Sequence, residues 1–557
     1  MMRVTLIVAL VALLVTPAAA DTWQQKQRDM WNTGRANFSP AADSTFFDTI
    51  VWQTKSKAPM TRNGMSMPFY DGVTIEGVGP GQNIVVGQYG WSWKSQMGMD
   101  RATGVEFWAG FHGGSGETIQ GITTAFSNDG TEVYGTNDAM ALGGVSFYLI
   151  GWPTDKGPGD SRNMASTDDM EFGWESDMLA TPAHFQGRSP VVGPNGRIFL
   201  HQTGQSPHAA TSQAGVGFTE VWGADTAQNM AGQDVALYED GDVLIVVGTG
   251  TGNTIKAWDG NDAVSGSNEL WATAVTKGTR ASATIDPTNG NIYVGAGLDD
   301  TYVVGLDKAG NVLWDTQLYD WQDGVNEKNH AISAGCLSHD GETYYFQTIS
   351  TTDTSGKLYA INTADGSLKW SYATLSKNTL YESSCPIVTQ NGIVVVGNNQ
   401  GDTFYAIQDG GPGNPVLLDT FVVDVGSNTA RASATMADDG LMYLPIKTTW
   451  LPAVGGDGTV QNVYTAFQLT TAVVPGDVDG NGVVDGLDLT AVLTAWLTEP
   501  GDPLWNDAAD LDDNDIVDGL DLTEVISNWT TASAAAPEEA SDAKPGRGKG
   551  NVKKKKK

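Results

Sequence analysis

The chain has 557 residues, 17% of them charged, and a formal charge of −34; so acidic a balance repels phosphate backbones and argues against a DNA or RNA partner. Its two cysteines, Cys336 and Cys385, exclude a disulfide-rich scaffold and leave one bridge or two free thiols open. Length alone suggests about three domains of roughly 150 residues, a count that internal repeats revise.

Residues 1–20 combine Arg3, an apolar run from Val4 to Val15, and Ala18-Ala19-Ala20 before Asp21, the layout of a signal peptide cut after Ala20. The run is short for a bilayer span, and no later stretch is long and apolar enough to be one. The mature chain is expected to be exported, either extracellular or associated with the cell surface.

Residues 21–470 are rich in Gly, Trp and short β-branched or aromatic runs broken by Asn-Gly and Asp-Gly, an all-β signature of hairpins. A unit recurs: a small-residue strand, a Gly turn, a Val/Ile/Tyr strand, a further strand, another Gly turn and a closing Trp. It is clearest in residues 282–314, with Asn289-Gly290 before Ile292-Tyr293-Val294 and Gly310 before Trp314. Residues 334–370, closing on Gly366 and Trp370, and residues 383–418, with Asn391-Gly392, follow the same plan. Fainter units close on Trp108, Trp222 and Trp271, another lies near residues 121–150, and the last spans residues 432–469. Repetition at this period predicts a propeller or an array, here of eight units. Ile50-Val51-Trp52 is expected to supply the outer strand that the last unit lacks, which protects a sheet edge. The Gly lets a turn approach the neighbouring sheet while the Trp spreads an apolar plane across the join.

Aligning the starts of the innermost strands puts Arg280 and Arg431, each in Arg-Ala-Ser-Ala-Thr, and Glu382 at one equivalent position, with Arg188 and His330 close by. These five residues are expected to converge on one mouth that takes an anionic or polyhydroxylated ligand such as a glycan. The alternative is that the arginines bond loop carbonyls or neighbouring carboxylates. No serine-nucleophile motif, zinc-ligand helix or phosphate loop stands out. The acid pairs Asp168-Asp169 and Asp299-Asp300 read as turn formers or solvated charges rather than glycosidase carboxylates.

A short linker, residues 471–475, leads to a compact module over residues 476–530. Asp477, Asp479, Asn481, Asp485 and Asp488 hold positions 1, 3, 5, 9 and 12 of a twelve-residue loop, Val483 offers its carbonyl at position 7, and Gly482 permits the turn at position 6. The pattern recurs as Asp510, Asp512, Asn514, Ile516, Asp518 and Asp521. Two calcium ions are therefore expected. Behind the loops, Leu489, Val492, Leu493 and Trp496, then Leu522, Val525, Ile526 and Trp529, fall at helical spacing and predict two helices that bury these faces on one another. So small a core couples calcium binding to folding. Residues 531–557, ending in five lysines, read as a disordered tail.

Over residues 476–529 the duplicated loop-helix pattern, ending in Asp at position 12, resembles a type I dockerin. The resemblance implies docking to a cohesin domain, which in the best-known members tethers polysaccharide-degrading enzymes or carbohydrate-binding proteins to a scaffold. Two departures stand out: Asp515 occupies position 6 of the second loop, which predicts a weaker site, and Gly486-Leu487 and Gly519-Leu520 occupy positions 10 and 11, where a Ser-Thr type pair is frequent in the family.

The runs Met99-Asp100-Arg101-Ala102-Thr103-Gly104 to Trp108 and Tyr359-Ala360-Ile361-Asn362 to Trp370, with an opening segment containing Trp31, Gly34, Arg35 and Ser39, resemble the tryptophan-docking repeat of quinoprotein (PQQ-like) eight-bladed propellers. In that family's dehydrogenases the resemblance implies a quinone above the central channel with calcium, an acidic base and often vicinal cysteines. This chain has no adjacent cysteines and no recognisable acid and ligand set, and many relatives by repeat are noncatalytic binders. The expectation is an all-β eight-bladed propeller followed by a small all-α dockerin-like pair of calcium loop-helix repeats, acting as a secreted binding or scaffold protein. The alternative is a propeller enzyme, either a PQQ-dependent oxidoreductase or a polysaccharide hydrolase or lyase.

Overall fold

The computed structural model describes residues 28–54, 61–62, 65–66, 73–75, 83–88, 96–110, 123–139, 146–154, 174–175, 189–201, 206–213, 217–225, 234–250, 252–261, 268–297, 299–319, 329–331, 333–350, 356–376, 384–399, 401–423, 432–471, 475–478, 484–512 and 514–529. The expected signal peptide and tail lie outside these residues. The chain divides into two compact units, Met1–Ala472 and Val473–Lys557. Among the described residues no helix is long and apolar enough to cross a membrane.

The first unit is an all-β propeller. Its described strands pair into eight sheets of four or five strands and one two-stranded hairpin. Residues 284–319 show the plan: Thr284–Ile285, Ile292–Ala296, Thr301–Leu306 and Val312–Tyr319 pair as an antiparallel meander. Every residue of Ile292–Ala296 is buried, because sheets packed face to face leave neither side of a middle strand in water. Thr343–Ser350 and Ile393–Gly397 are buried throughout for the same reason.

Neighbouring sheets are joined by indole rings. Trp222, Trp271 and Trp314 donate their Nε1–H to the carbonyls of Asp259, Lys308 and Thr363 in the following sheet, at 2.8, 3.1 and 2.9 Å. Glycines make the approach feasible: a Cβ at Gly310 would stand 2.5 Å from the Trp271 ring, and one at Gly366 2.6 Å from that of Trp314. Both glycines also have φ above +70°, a region that L side chains rarely adopt. The strand Ile50–Thr54 pairs with Val460–Gln468 at the outer edge of the last sheet. From there Trp52 reaches the first sheet, donating to the Arg101 carbonyl at 3.1 Å.

Trp370 departs from this pattern. It donates to the Asp409 carboxylate, at 2.9 Å, rather than to a carbonyl. The same carboxylate accepts from the Tyr345 hydroxyl at 2.6 Å, from Lys369 Nζ at 2.9 Å and from the Gly411 N–H at 2.9 Å. Burial alone raises the Asp409 pKa; the donors outweigh it and hold the carboxyl below its usual range.

The innermost strands would each leave one edge unpaired, and an N-terminal strap covers several of them. Carbonyls of Met30, Trp31, Thr33 and Gly34 accept from Leu237, Ile285, Leu337 and Val388 at 2.7, 2.8, 2.8 and 2.9 Å. The strap thus touches four consecutive sheets, and Arg35–Ala36 adds a parallel strand beside Ile387–Thr389. Cys336 and Cys385 are fully buried free thiols on adjacent sheets. Burial, then the nearby Cys385, pushes the Cys336 thiol well above its usual pKa.

The second unit holds two nine-residue helices, α1 (Gly486–Thr494) and α2 (Gly519–Ser527). Its core is smaller than the sequence periodicity predicts. Val492 and Val525 are buried with Val478, Val484, Ala495, Ala509 and Val517, and Leu489 and Leu522 pack beside them. Leu493, Trp496, Ile526 and Trp529, expected inside, are exposed. The helices are too short to carry both tryptophans, and loop valines 484 and 517 fill the space a second helical stripe would need.

Trp314→Ala removes an indole that is stacked on Tyr293 at 5.9 Å and is expected to cost about 3–5 kcal/mol in urea unfolding. Asp409 tests the carboxylate hub. Its folded pKa is depressed, so its contribution is present above the unfolded carboxylate pKa and lost as pH falls through the folded value. Asp409→Asn is therefore expected to lower stability by about 2 kcal/mol at pH 7, with the difference from wild type closing below the ordinary carboxylate range in unfolding curves taken across pH.

Candidate calcium centres

Each loop is built around its twelfth residue, expected from the sequence as a ligand and found here as a brace. In the second loop Asp521 Oδ1 accepts from the Leu511 N–H at 2.6 Å, and Oδ2 accepts from the Asp518 N–H at 2.7 Å. Asp518 caps α2, accepting from Leu520 N at 2.8 Å. The first loop repeats this geometry: Asp488 accepts from Val478 N at 2.8 Å and Asp485 N at 2.7 Å, and Asp485 accepts from Leu487 N at 2.7 Å. A reciprocal capping box at the start of each helix thus sets the back wall of each loop.

Carboxylate oxygens of Asp510, Asp512 and Asp521 lie within 4.8 Å of one another. Desolvation, then the charges of Asp521 and Asp510, raise the Asp512 pKa. A hard divalent cation relieves this crowding, and the oxygen-only donor set fits calcium. Asn514 is held in the loop by Asn514 Nδ2–H to Asp512 Oδ2 at 3.0 Å, and Ile516 stands at position 7, the position of the expected carbonyl ligand. Asp518 stands at position 9, where coordination often runs through water. In the first loop Asp477, Asp485 and Asp488 are described; Asp479, Asn481 and Val483 lie outside the described residues.

Asp515 takes the left-handed conformation at φ 66°, and its N–H donates to Asp510 Oδ2 at 2.9 Å. At positions 11, Leu487 and Leu520 are 52% and 60% exposed, and nothing lies within 4 Å of a Cβ built on Gly486 or Gly519. Both loop-helix corners therefore present a small residue and a bare leucine to solvent.

The propeller rim is less complete. Arg188, Glu382 and Arg431 lie outside the described residues. Arg280 is half-exposed in the turn leading into Thr284–Ile285, and His330 is 6% exposed on Asn329–Ala331 of the next sheet. Of the acid pairs, Asp300 binds Lys277 Nζ at 2.8 Å. What sequence reasoning missed is the bracing role of Asp488 and Asp521. The signal was present in Asp485-x-x-Asp488 and Asp518-x-x-Asp521, acidic variants of the capping-box spacing.

Residues 475–528 match the type I dockerin domain family, and residues 217–437 match the PQQ_2 family, outer membrane protein assembly factor BamB. Among solved structures the chain is similar to the quinohemoprotein alcohol dehydrogenase of Comamonas testosteroni, at 13% identity and TM-score 0.51, over 82% of this chain and 81% of that one. It is similar to a quinohemoprotein alcohol dehydrogenase of Pseudomonas putida HK5, at 12% identity and TM-score 0.50, over 81% of each chain. The Dos1 propeller aligns at 8% identity and TM-score 0.50, over 77% of this chain and 97% of its own. At such identities the likeness shows the fold alone. No curated protein matches the chain in sequence.

Asp515→Gly relieves a left-handed aspartate worth about 1 kcal/mol. In calcium titration calorimetry it is expected to tighten the weaker of two sites about fivefold and leave the other unchanged.

Proposed function

We infer, from a chain that carries a PQQ-like repeat domain followed by a type I dockerin domain, that this protein is an exported member of an extracellular assembly. Its dockerin binds a cohesin-type partner once calcium orders the two loops, and its propeller contributes a binding surface rather than a reaction. The observation that carries this reading is the convergence of Asp510, Asp512 and Asp521 in a loop whose bracing bonds recur in its twin. The same reading takes the eight sheets as eight blades of one propeller, with Ile50–Thr54 completing the last.

Leu487 and Leu520, repeated on two equivalent corners, suit a partner surface with apolar pockets. Either half can present the pair. The reading of the propeller as noncatalytic starts from its two cysteines, which are not adjacent in the chain. Cys336 and Cys385 stand on separate sheets and are fully buried, so the chain does not supply a vicinal cysteine pair, and no step through a quinone is assigned. The rim around Arg280 and His330 remains the proposed place for a glycan or anionic ligand, with Arg188, Glu382 and Arg431 completing it.

Size-exclusion and calorimetry with a purified type I cohesin test the docking. The expected result is a 1:1 complex with calcium that EDTA dissolves. Leu487→Asp combined with Leu520→Asp is expected to cost at least about 2 kcal/mol of binding while calcium uptake persists, and each single variant is expected to retain most of the affinity. Absence of calcium uptake by the chain would refute the reading. A quinone absorption band retained after adding PQQ and calcium would overturn the noncatalytic propeller.

A further inference from the structure

The strap does more than cover strand edges. Beside it lies a cavity of about 320 Å³ whose lining includes Arg28, Asp29, Trp31, Thr33, Arg35 and Pro287, at the small end of the roughly 300–1,000 Å³ range of ligand pockets. It lies away from the rim discussed above. Pro287 follows the innermost strand Thr284–Ile285 whereas Arg280 precedes it. The cavity and the rim therefore belong to opposite ends of that strand.

The charges around the cavity are unevenly satisfied. Asp29 accepts the N–H groups of Trp31 and Thr33 at 3.1 and 3.0 Å, and the Thr33 hydroxyl as well. Asp286 accepts from Thr288 N at 2.9 Å and Asn289 Nδ2 at 2.8 Å, and Asp340 from Ser338 Oγ at 2.5 Å and Glu342 N at 2.9 Å. Each of these carboxylates is engaged by its own turn. Arg28 donates to the Arg35 carbonyl at 2.7 Å and meets Asp438 only at 3.5 Å. Arg35 donates through Nε to the Leu337 carbonyl at 3.0 Å, and its Nη2 is buried without a partner. Among the described residues no carboxylate lies within ion-pair distance of Arg35; Asp29, Asp286 and Asp340 act on its charge from further away and leave the Nη2 donor unmet. A desolvated guanidinium with an idle donor is costly unless an oxyanion meets it. Its planar fork suits carboxylate and sulfate. Beside it, Trp31 packs against the core formed by Ala236, Ile285 and Ile292 and stays half-exposed, a ring able to stack on the apolar face of a sugar.

We propose that this cavity binds an acidic saccharide, a sugar bearing a carboxylate or a sulfate ester, with the oxyanion on the guanidiniums of Arg28 and Arg35 and the sugar ring against Trp31. The site is independent of the calcium module and of the rim at Arg280.

Titration calorimetry on the full chain with digalacturonate, a monosulfated disaccharide, cellobiose and sodium sulfate tests this. At least one of the two acidic sugars is expected to bind 1:1, and which one binds identifies the anion. Cellobiose and free sulfate are expected to bind at least about tenfold more weakly. Arg35→Gln is expected to weaken the acidic sugar about tenfold or more, and Arg35→Lys, which keeps the charge without the fork, by a smaller factor. Lys308→Gln, at an exposed cation outside the cavity lining, is expected to leave affinity unchanged. The proposal is overturned by absence of binding of both acidic sugars to wild type, by cellobiose or sulfate binding as tightly, or by loss of binding in Lys308→Gln alone. The comparison among ligands needs only the wild-type chain, so it stands even if the Arg35 variants fold poorly.

Discussion

A four-stranded sheet with two apolar faces cannot be stable by itself; each face must lie against another sheet at a fixed distance. In this chain the distance is set by an indole edge on one sheet and a bare glycine turn on the next, with the indole N–H reaching a backbone carbonyl. The fully buried middle strands depend on that spacing. So does the last sheet, which borrows Ile50–Thr54 from far earlier in the chain and uses Trp52 to reach the first.

A short strap and short inner strands solve a second problem together. Innermost strands, of two or three residues in three of these sheets and five in the other, offer few bonds of their own, and the strap carbonyls from Met30 to Gly34 take up N–H groups on four sheets in turn. To do so the strap carries polar and charged side chains into a partly buried place. Asp29 is fully engaged by its own segment, whereas Arg35 is not. The difference between these two residues is what separates a structural device from a binding site.

In the second unit one carboxylate does two jobs. Asp488 and Asp521 stand at position 12 of a metal loop and at the third position of a helix, so the donors that order the loop also cap the helix. Loop order and helix formation are thereby coupled through a single side chain in each half. Because both halves are alike in this respect, both expose the same Gly-Leu corner. The apolar residues that do not fit the small core then become surface.

Much of this was legible in one dimension. The convergence of Asp510, Asp512 and Asp521 follows from spacing within twelve residues, because a loop's oxygens converge by local geometry alone. The hairpins and the Gly-then-Trp endings follow from turn chemistry and side-chain size, and Ile50-Val51-Trp52 could be matched to an unfinished last unit because a propeller leaves an edge to fill. Tertiary structure decided what depends on neighbours distant in sequence. Periodicity marked Leu493, Trp496, Ile526 and Trp529 as apolar, but loop valines 484 and 517 had already filled the core. The two cysteines could be counted, but only the placement of their strands shows them as buried thiols. Arg35 is one charge among 31 basic side chains in the sequence; its burial and its idle donor arise only where the strap meets four sheets, since desolvation is a property of surroundings and not of residue type.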